Sequence, residues 1–92
     1  MQIIDSHTHI YPDKIAQRAK DELQRAFSKI MIALPIKDNL FGHMDEAGVS
    51  KSVVAAVASR PEQVVSINSW LFSIKDDRII PFASMHPYFE GY

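Results

Sequence analysis

Ile3-Ile4-Asp5-Ser6-His7-Thr8-His9-Ile10 is the stretch near the start of the chain that decides its fold. It is rich in β-branched residues, contains no Gly or Pro and is followed by Tyr11-Pro12 as a stop, so it predicts a β-strand. Alternate residues of a strand point to one face, about 6.6 Å apart along the chain. Asp5, His7 and His9 are therefore expected to share a face on which two imidazoles can converge on one cation.

Polarity rises along this predicted face, from Ile3 through Asp5 to His7 and His9. Parallel barrels carry their sites at the C-terminal ends of the strands and pack the opposite end with aliphatic side chains, so the gradient favours a metal site. Two imidazoles alone do not complete such a site, because a catalytic zinc takes three protein ligands and a water. The spacing leaves open an edge strand that carries two solvated histidines.

The composition is typical of a soluble globular chain. Its 92 residues suffice for one small domain or for part of a larger one. A net charge of −1, without a block of like charge, argues against a nucleic-acid partner and against a membrane-surface patch. There is no cysteine, so a metal would have to be held by His, Asp or Glu. The first residues lack the features of a secretory signal and no apolar run could span a membrane, so we expect a cytoplasmic protein.

Two helices are predicted between the first strand and residue 50. Pro12-Asp13 is typical of a helix start, and an apolar stripe continues through Ile15, Ala19, Leu23 and Ile30. The stretch 28–37 remains open between a helix end, a loop and an extended lid. Asp38 is then a candidate N-cap of a short helix that ends at Gly48.

Two further strands and one further helix are predicted in the rest of the chain. The run from Lys51 to Ala58 is typical of a strand buried on both faces in a parallel sheet. Ser59-Arg60-Pro61-Glu62 resembles a capping box in front of a helix whose apolar stripe is Val64, Ile67, Leu71 and Ile74. Arg78–Met85 predicts a third strand, although Pro81 lacks a ladder donor. Strands that alternate with amphipathic helices indicate a parallel α/β architecture.

We expect different roles for the two remaining histidines, His86 and His43. His86 ends the third predicted strand on the face of Ile80, Phe82 and Ser84, where it could contact a substrate or simply cap the strand end. His43 lies off the apolar face of its helix, and we expect a solvated surface histidine.

Several of these segments are similar to a known family. Residues 4–12, with Asp-x-His-x-His, resemble the opening strand of the amidohydrolase superfamily. Residues 43–49 and 78–87 resemble the next two units of its amidohydrolase-related branch, so the resemblance covers nearly the whole chain. It implies that residues 1–92 form the N-terminal three βα units of a (β/α)8 barrel. The barrel is incomplete here, because a whole one takes roughly 250 residues.

The resemblance also implies roles for single residues. His7 and His9 would be the first two ligands of a divalent metal, most often zinc, and Asp5 would orient an imidazole without binding the metal. His86 would lie near the pocket of a small-molecule substrate. A metal-activated water would attack a carbonyl group of that substrate. The remaining ligands of the family come from later strands, so the 92 residues are not expected to turn over substrate alone.

Two alternatives stay open. One is a non-catalytic chain with a vestigial metal site that forms a homo-oligomer through an exposed strand edge. The other is a decarboxylase or a phosphoesterase of a related barrel type, because some phosphoesterases also begin with Asp-x-His-x-His. Arg78–Pro87 argues against the phosphoesterase branch.

Overall fold

A computed structural model describes residues 2–27 and 33–91, which form a parallel three-stranded sheet and its helices. The elements in chain order are β1 (Ile4–His9), α1 (Asp13–Phe27), α2 (Lys37–Ala47), β2 (Lys51–Ala55), a 3-10 turn (Pro61–Gln63), α3 (Val64–Ser73) and β3 (Ile79–Pro81). The strand order is β1-β2-β3, and both neighbouring pairs are parallel. The predicted α/β class and parallel sheet are confirmed.

The helices pack on one face of this sheet. Ser52 and Val54 of β2 are buried, whereas the alternate residues of the strand are only half-buried. A core cluster of four residues, with partly buried neighbours from α2 and α3, joins the two helices to the strands: Ile10, Val54, Leu71 and Ile79, with Leu40, Phe41, Trp70 and Ile74. Because α2 and α3 meet the same strand residues, both lie on the Val54 face. The prediction that β2 is buried on both faces is therefore wrong for the face opposite the helices.

A second cluster places α1 beside α3. It contains Tyr11 and small or branched residues from α1, α3 and the segment after β2: Ala16, Ala19, Ala56, Ala58, Val64 and Ile67. The small side chains of Ala16 and Ala19 let α1 pack closely against the residues that follow β1 and β2. The burial of Tyr11, Ala56 and Ala58 in this cluster holds those two segments in place.

β2 and β3 are shorter than the sequence pattern predicts. β2 ends at Ala55 because the next amides bond to side chains: the N–H of Val57 donates to the Tyr11 hydroxyl at 3.0 Å, and that of Ala58 donates to Ser84 Oγ at 3.0 Å. Each of these amides is satisfied without a neighbouring strand.

Beyond β3, too, the backbone bonds to a side chain instead of to a neighbouring strand. Phe82 N–H still reaches the Val54 carbonyl at 2.8 Å. The backbone of Ser84, however, bonds both ways to the Asn68 side-chain amide, donating at 2.8 Å and accepting at 2.9 Å. Beyond β3, Ser84 is thus held by Asn68 of α3 and not by a further strand ladder.

Helix ends follow the sequence signals in part. Gly48 closes α2 with φ 71°, and its N–H donates to the Met44 carbonyl, as a glycine C-cap should. Asp38 is not the N-cap, since α2 begins at Lys37 and its capping position, Ile36, makes no side-chain bond. The predicted capping box lies on the 3-10 turn and is shifted by one residue: Gln63 Oε1, in place of Glu62, accepts from the N–H of Arg60 at 3.2 Å. Gln63 precedes α3 without a side-chain bond to that helix.

α1 begins at Asp13, as predicted. Residues 28–32, which include Ile30 and the first half of the ambiguous stretch, lie outside the described residues. Within the described ranges, no helix has the length and apolarity that a membrane crossing requires.

The turn before β3 is held by one ion pair. Asp76 Oδ1 accepts from the backbone N–H and the Nε–H of Arg78, and its Oδ2 accepts from Nη2 at 3.0 Å. The guanidinium also lies 3.6 Å from the ring centroid of Phe41 on α2. These bonds, led by those from the Arg78 side chain, lower the pKa of Asp76 to about 2.

Ser52 generates a stability prediction, because its buried Oγ has no hydrogen-bond partner within the described part of the chain. An unpaired buried hydroxyl costs about 1–3 kcal/mol. We expect Ser52→Ala to raise the free energy of unfolding by about 1 kcal/mol, measured by urea denaturation. Ser84→Ala is the matched control and should lower it by about 1 kcal/mol, because its Oγ accepts a bond. A loss of stability in Ser52→Ala would contradict the assignment.

Asp76 generates a pH prediction. Its pKa is lower in the fold than the ordinary 3.8, so its bonds stabilise the fold fully above pH 3.8 and are lost as the pH falls through about 2. We expect Asp76→Ala to have a lower melting temperature than the wild type near pH 6, and the gap to close between pH 4 and pH 2. Asp77→Ala, at the exposed neighbouring position, should show no such pH-dependent gap. A gap that is constant with pH would contradict the ion pair.

Candidate metal centre

His7 and His9 converge at the C-terminal end of β1. Their Nε2 atoms are 3.1 Å apart, and their ring centroids are 4.9 Å apart at an interplanar angle of 74°. Zinc bonds of about 2.0–2.1 Å at a tetrahedral angle would place two ligand nitrogens about 3.3 Å apart. The two nitrogens therefore already have nearly the separation that one shared cation requires. The predicted strand and the predicted convergence of the two rings are confirmed.

The protonation of His9 is fixed by β2. Its Nδ1 lies 3.0 Å from the carbonyl oxygen of Ala55. Because a carbonyl oxygen can only accept, Nδ1 carries the proton and the lone pair of the neutral ring is on Nε2. Metal-binding histidines are commonly oriented by such a bond from the other ring nitrogen. His7 Nε2 is then the donor in the His7–His9 contact of the metal-free pair.

A register shift in β1, between Asp5 and Thr8, separates Asp5 from His9. Asp5 pairs with Ser52, whereas His9 pairs with Ala55, and the register shifts between Asp5 and Thr8. Ser52 and Ala55 are three residues apart on β2 and so belong to opposite faces. By this register Asp5 and His9 lie on opposite faces of the sheet, so the expectation that Asp5 shares a face with both histidines is wrong.

Asp5 contacts the backbone of the site. Its Oδ1 accepts from the N–H of His7 at 3.1 Å, across the register shift. The contact satisfies an amide that the shifted register removes from regular pairing, and it supports the position of His7. The orientation of an imidazole by the Asp5 carboxylate remains a prediction.

The donor set is incomplete. No cluster of three or more His, Cys, Asp or Glu side chains suited to a metal occurs in the described ranges 2–27 and 33–91. His7 and His9 thus form a two-donor half-site, with His7 exposed and His9 half-buried. The orientation and spacing of the donors fit zinc, and their number leaves coordination positions to be filled from elsewhere.

The other two histidines lie on separate elements. His86 organises the turn after β3: its Nδ1 accepts from the N–H of Tyr88 at 3.2 Å, and its carbonyl accepts from the N–H of Phe89 at 3.0 Å. This turn lies five residues beyond Pro81, where β3 ends, so capping of the strand end and contact of His86 with a substrate both remain predictions. His43 is exposed on α2, as predicted.

Sequence reasoning missed a cavity of about 560 Å³ between α1 and α3. Its walls are mainly apolar and include Ile15, Leu23, Ile67 and Trp70, and none of the predicted site residues lines it. Tyr11 lies at its base, where burial raises the pKa of the phenol. The helical stripes indicate two apolar helix faces but not the gap between the helices, so no pattern in the sequence could have revealed the cavity.

The ring tautomers generate a spectroscopic prediction. In metal-free protein with neutral histidine rings, we expect long-range ¹H–¹⁵N spectra to show His9 protonated on Nδ1. His86 should show the opposite tautomer, protonated on Nε2, because its Nδ1 accepts a bond. The exposed His43 is the internal reference. An Nε2-protonated His9 would contradict its bond to Ala55.

Comparison of the chain with protein-family models, with curated proteins and with solved structures found no significant match. Support for a function must therefore come from the geometry of the site and from the resemblance of the sequence segments.

Proposed function

We propose that residues 1–92 are the first three βα units of a metal-dependent (β/α)8 hydrolase of the amidohydrolase-related type. In this proposal His7 and His9 supply the first two ligands of a zinc ion. The observation that carries it is the 3.1 Å approach of the two Nε2 atoms at the C-terminal end of the first strand. Parallel barrels place their functional groups at that end of the strands.

The architecture of the sheet supports the barrel. Its strands follow one another in chain order and its helices pack on one face, as in successive βα units. The opposite face carries the aliphatic side chains of Val53 and Ile80 at paired positions, and that of Ile4 at a position paired with Lys51. Ile4 is 51% exposed. Aliphatic residues on an uncovered face are expected where further strands would close around a packed interior.

The chemistry follows from the donors. Zinc at this position would supply a water acidic enough to attack a carbonyl at neutral pH. His9 would bind through the lone pair that its bond to Ala55 directs to Nε2, and His7 would bind after its proton moves to Nδ1. Asp5 would hold the register shift that brings His7 into place, and His86 would lie toward the substrate. With two donors, these residues hold a metal without completing a catalytic site.

A second candidate is a non-catalytic chain that retains a vestigial half-site. The presence of only two donors among residues 2–27 and 33–91 favours it, as does the position of β1 at the edge of the described sheet. A decarboxylase or phosphoesterase on the same scaffold would use the same pair, since a fold does not define the reaction.

Zinc titration followed by calorimetry and native mass spectrometry tests the proposal. We expect the wild type to bind zinc, and His7→Ala to lose binding by more than the 10–100-fold typical of losing a partner of a ligand. His7 is exposed, so this substitution should leave the fold intact.

His43→Ala is the matched control, since it removes an exposed histidine from α2 and should leave the affinity unchanged. Equal loss in His7→Ala and His43→Ala would indicate nonspecific binding and would refute the half-site. Absence of zinc binding by the wild type would refute the metal role outright.

A further inference from the structure

The register shift of β1 decides which face of the sheet carries the two imidazoles. Before the shift Asp5 pairs with Ser52, and after it His9 pairs with Ala55. Continued without the shift, the first register would pair His9 with Ala56, which is 1% exposed and lies in the core cluster of α1 and α3. Because a slip of one residue turns every side chain of a strand to the other face, both rings would then point into the helix layer.

A side chain of β1 satisfies a backbone group of β2 at this shift. Successive peptide groups of a central strand bond alternately to its two neighbours. The N–H of Ser52 and the carbonyl of Val54 both bond to the chain segment of β3, so the carbonyl of Val53 faces β1. Thr8, the first residue paired after the shift, donates its Oγ1–H to this carbonyl at 2.7 Å. The hydroxyl therefore takes the place of a backbone donor where the ladder is interrupted.

We propose that Thr8 is a positioning residue of the metal centre, whose hydroxyl holds β1 in the register that turns His7 and His9 away from the helix layer. The inference rests on the metal role of these histidines in the proposed function, and it adds the group that sets their direction. Thr8 acts through the backbone of β2 and supplies no ligand. The coordination positions that a water and further ligands need thus stay open.

The hydroxyl stabilises the shifted register selectively. An unbonded carbonyl between two strands is costly, and in a regular register a β1 amide would bond to Val53 without help from a side chain. Asp5 has the complementary effect, because its Oδ1 accepts from the N–H of His7 at 3.1 Å. The bond from Thr8 lies between β1 and β2, so a further strand at the other edge of β1 would leave it in place.

Calorimetric zinc titration of Thr8→Val in the 92-residue chain tests the proposal. Valine keeps the branched shape and the strand preference of threonine and removes only the hydroxyl. We expect zinc affinity to fall about tenfold, the lower end of the loss that is typical of residues that orient a ligand. Thr8→Ser keeps a hydroxyl and should restore most of the affinity. In metal-free Thr8→Val, long-range ¹H–¹⁵N spectra should show His9 as a mixture of tautomers, because its ring loses the bond to Ala55.

Ser84→Ala is the matched control, since it also removes a half-buried bond between a hydroxyl and the backbone, beyond β3. Both variants should lower the free energy of unfolding, but Ser84→Ala should leave zinc affinity and the His9 tautomer unchanged. Equal weakening of zinc binding in Thr8→Val and Ser84→Ala would overturn the positioning role, because a general loss of stability would explain both.

Two outcomes separate this inference from the proposed function. Zinc binding by the wild type with unchanged affinity in Thr8→Val would overturn the role of Thr8 and leave the half-site of His7 and His9 standing. Absence of zinc binding by the wild type would overturn both proposals.

Discussion

The pairing of β1 with β2 is the interaction on which the candidate site depends. Thr8 Oγ1 donates to the Val53 carbonyl at 2.7 Å, and His9 Nδ1 bonds the Ala55 carbonyl at 3.0 Å. Both bonds join residues about 45 positions apart in the chain. An isolated β1 would leave the His9 ring free to rotate, so the direction of its lone pair is a property of the sheet and not of the local sequence.

The sheet in turn depends on its one-sided helix layer. Ile10 and Val54 are fully buried against Leu71 of α3, which anchors the C-terminal end of β1 beside β2. Truncating a residue such as Leu71 to Ala would cost about 2–5 kcal/mol, a large part of the stability of a domain of this size. The histidines next to Ile10 are thus positioned by packing on the face opposite to their own.

Much of this arrangement could be predicted from periodicity. The β-branched first segment predicted β1. The proline at the start of α1 and the glycine at the end of α2 each predicted one helix boundary, and the i, i+2 spacing predicted that His7 and His9 lie together. These signals are local, since they depend on residues a few positions apart.

Two of the errors arose from nonlocal partners, and a third arose from a neighbour in the chain. The register shift beside Asp5 depends on the pairing with β2, which an alternating pattern does not encode. β3 ends early because Asn68, on a different element, takes both backbone bonds of Ser84. The predicted capping box moved by one residue, from Glu62 to Gln63, because the Gln63 side chain accepts from the N–H groups of Ser59 and Arg60 in front of the 3-10 turn. Each of these three errors lies where a side chain satisfies a backbone group that the pattern assigned to a strand or to another residue of a cap.

The same nonlocal contacts limit how the metal coordination can be completed. The helix face is filled around Val54 and Leu71, so a further ligand has to approach from the face of His9 and Ala55 or from the free edge of β1. Additional strands of a barrel would supply ligands from the first direction. Those ligands would meet the same two nitrogens, already spaced for one ion, so the half-site is a feature that the fold itself provides.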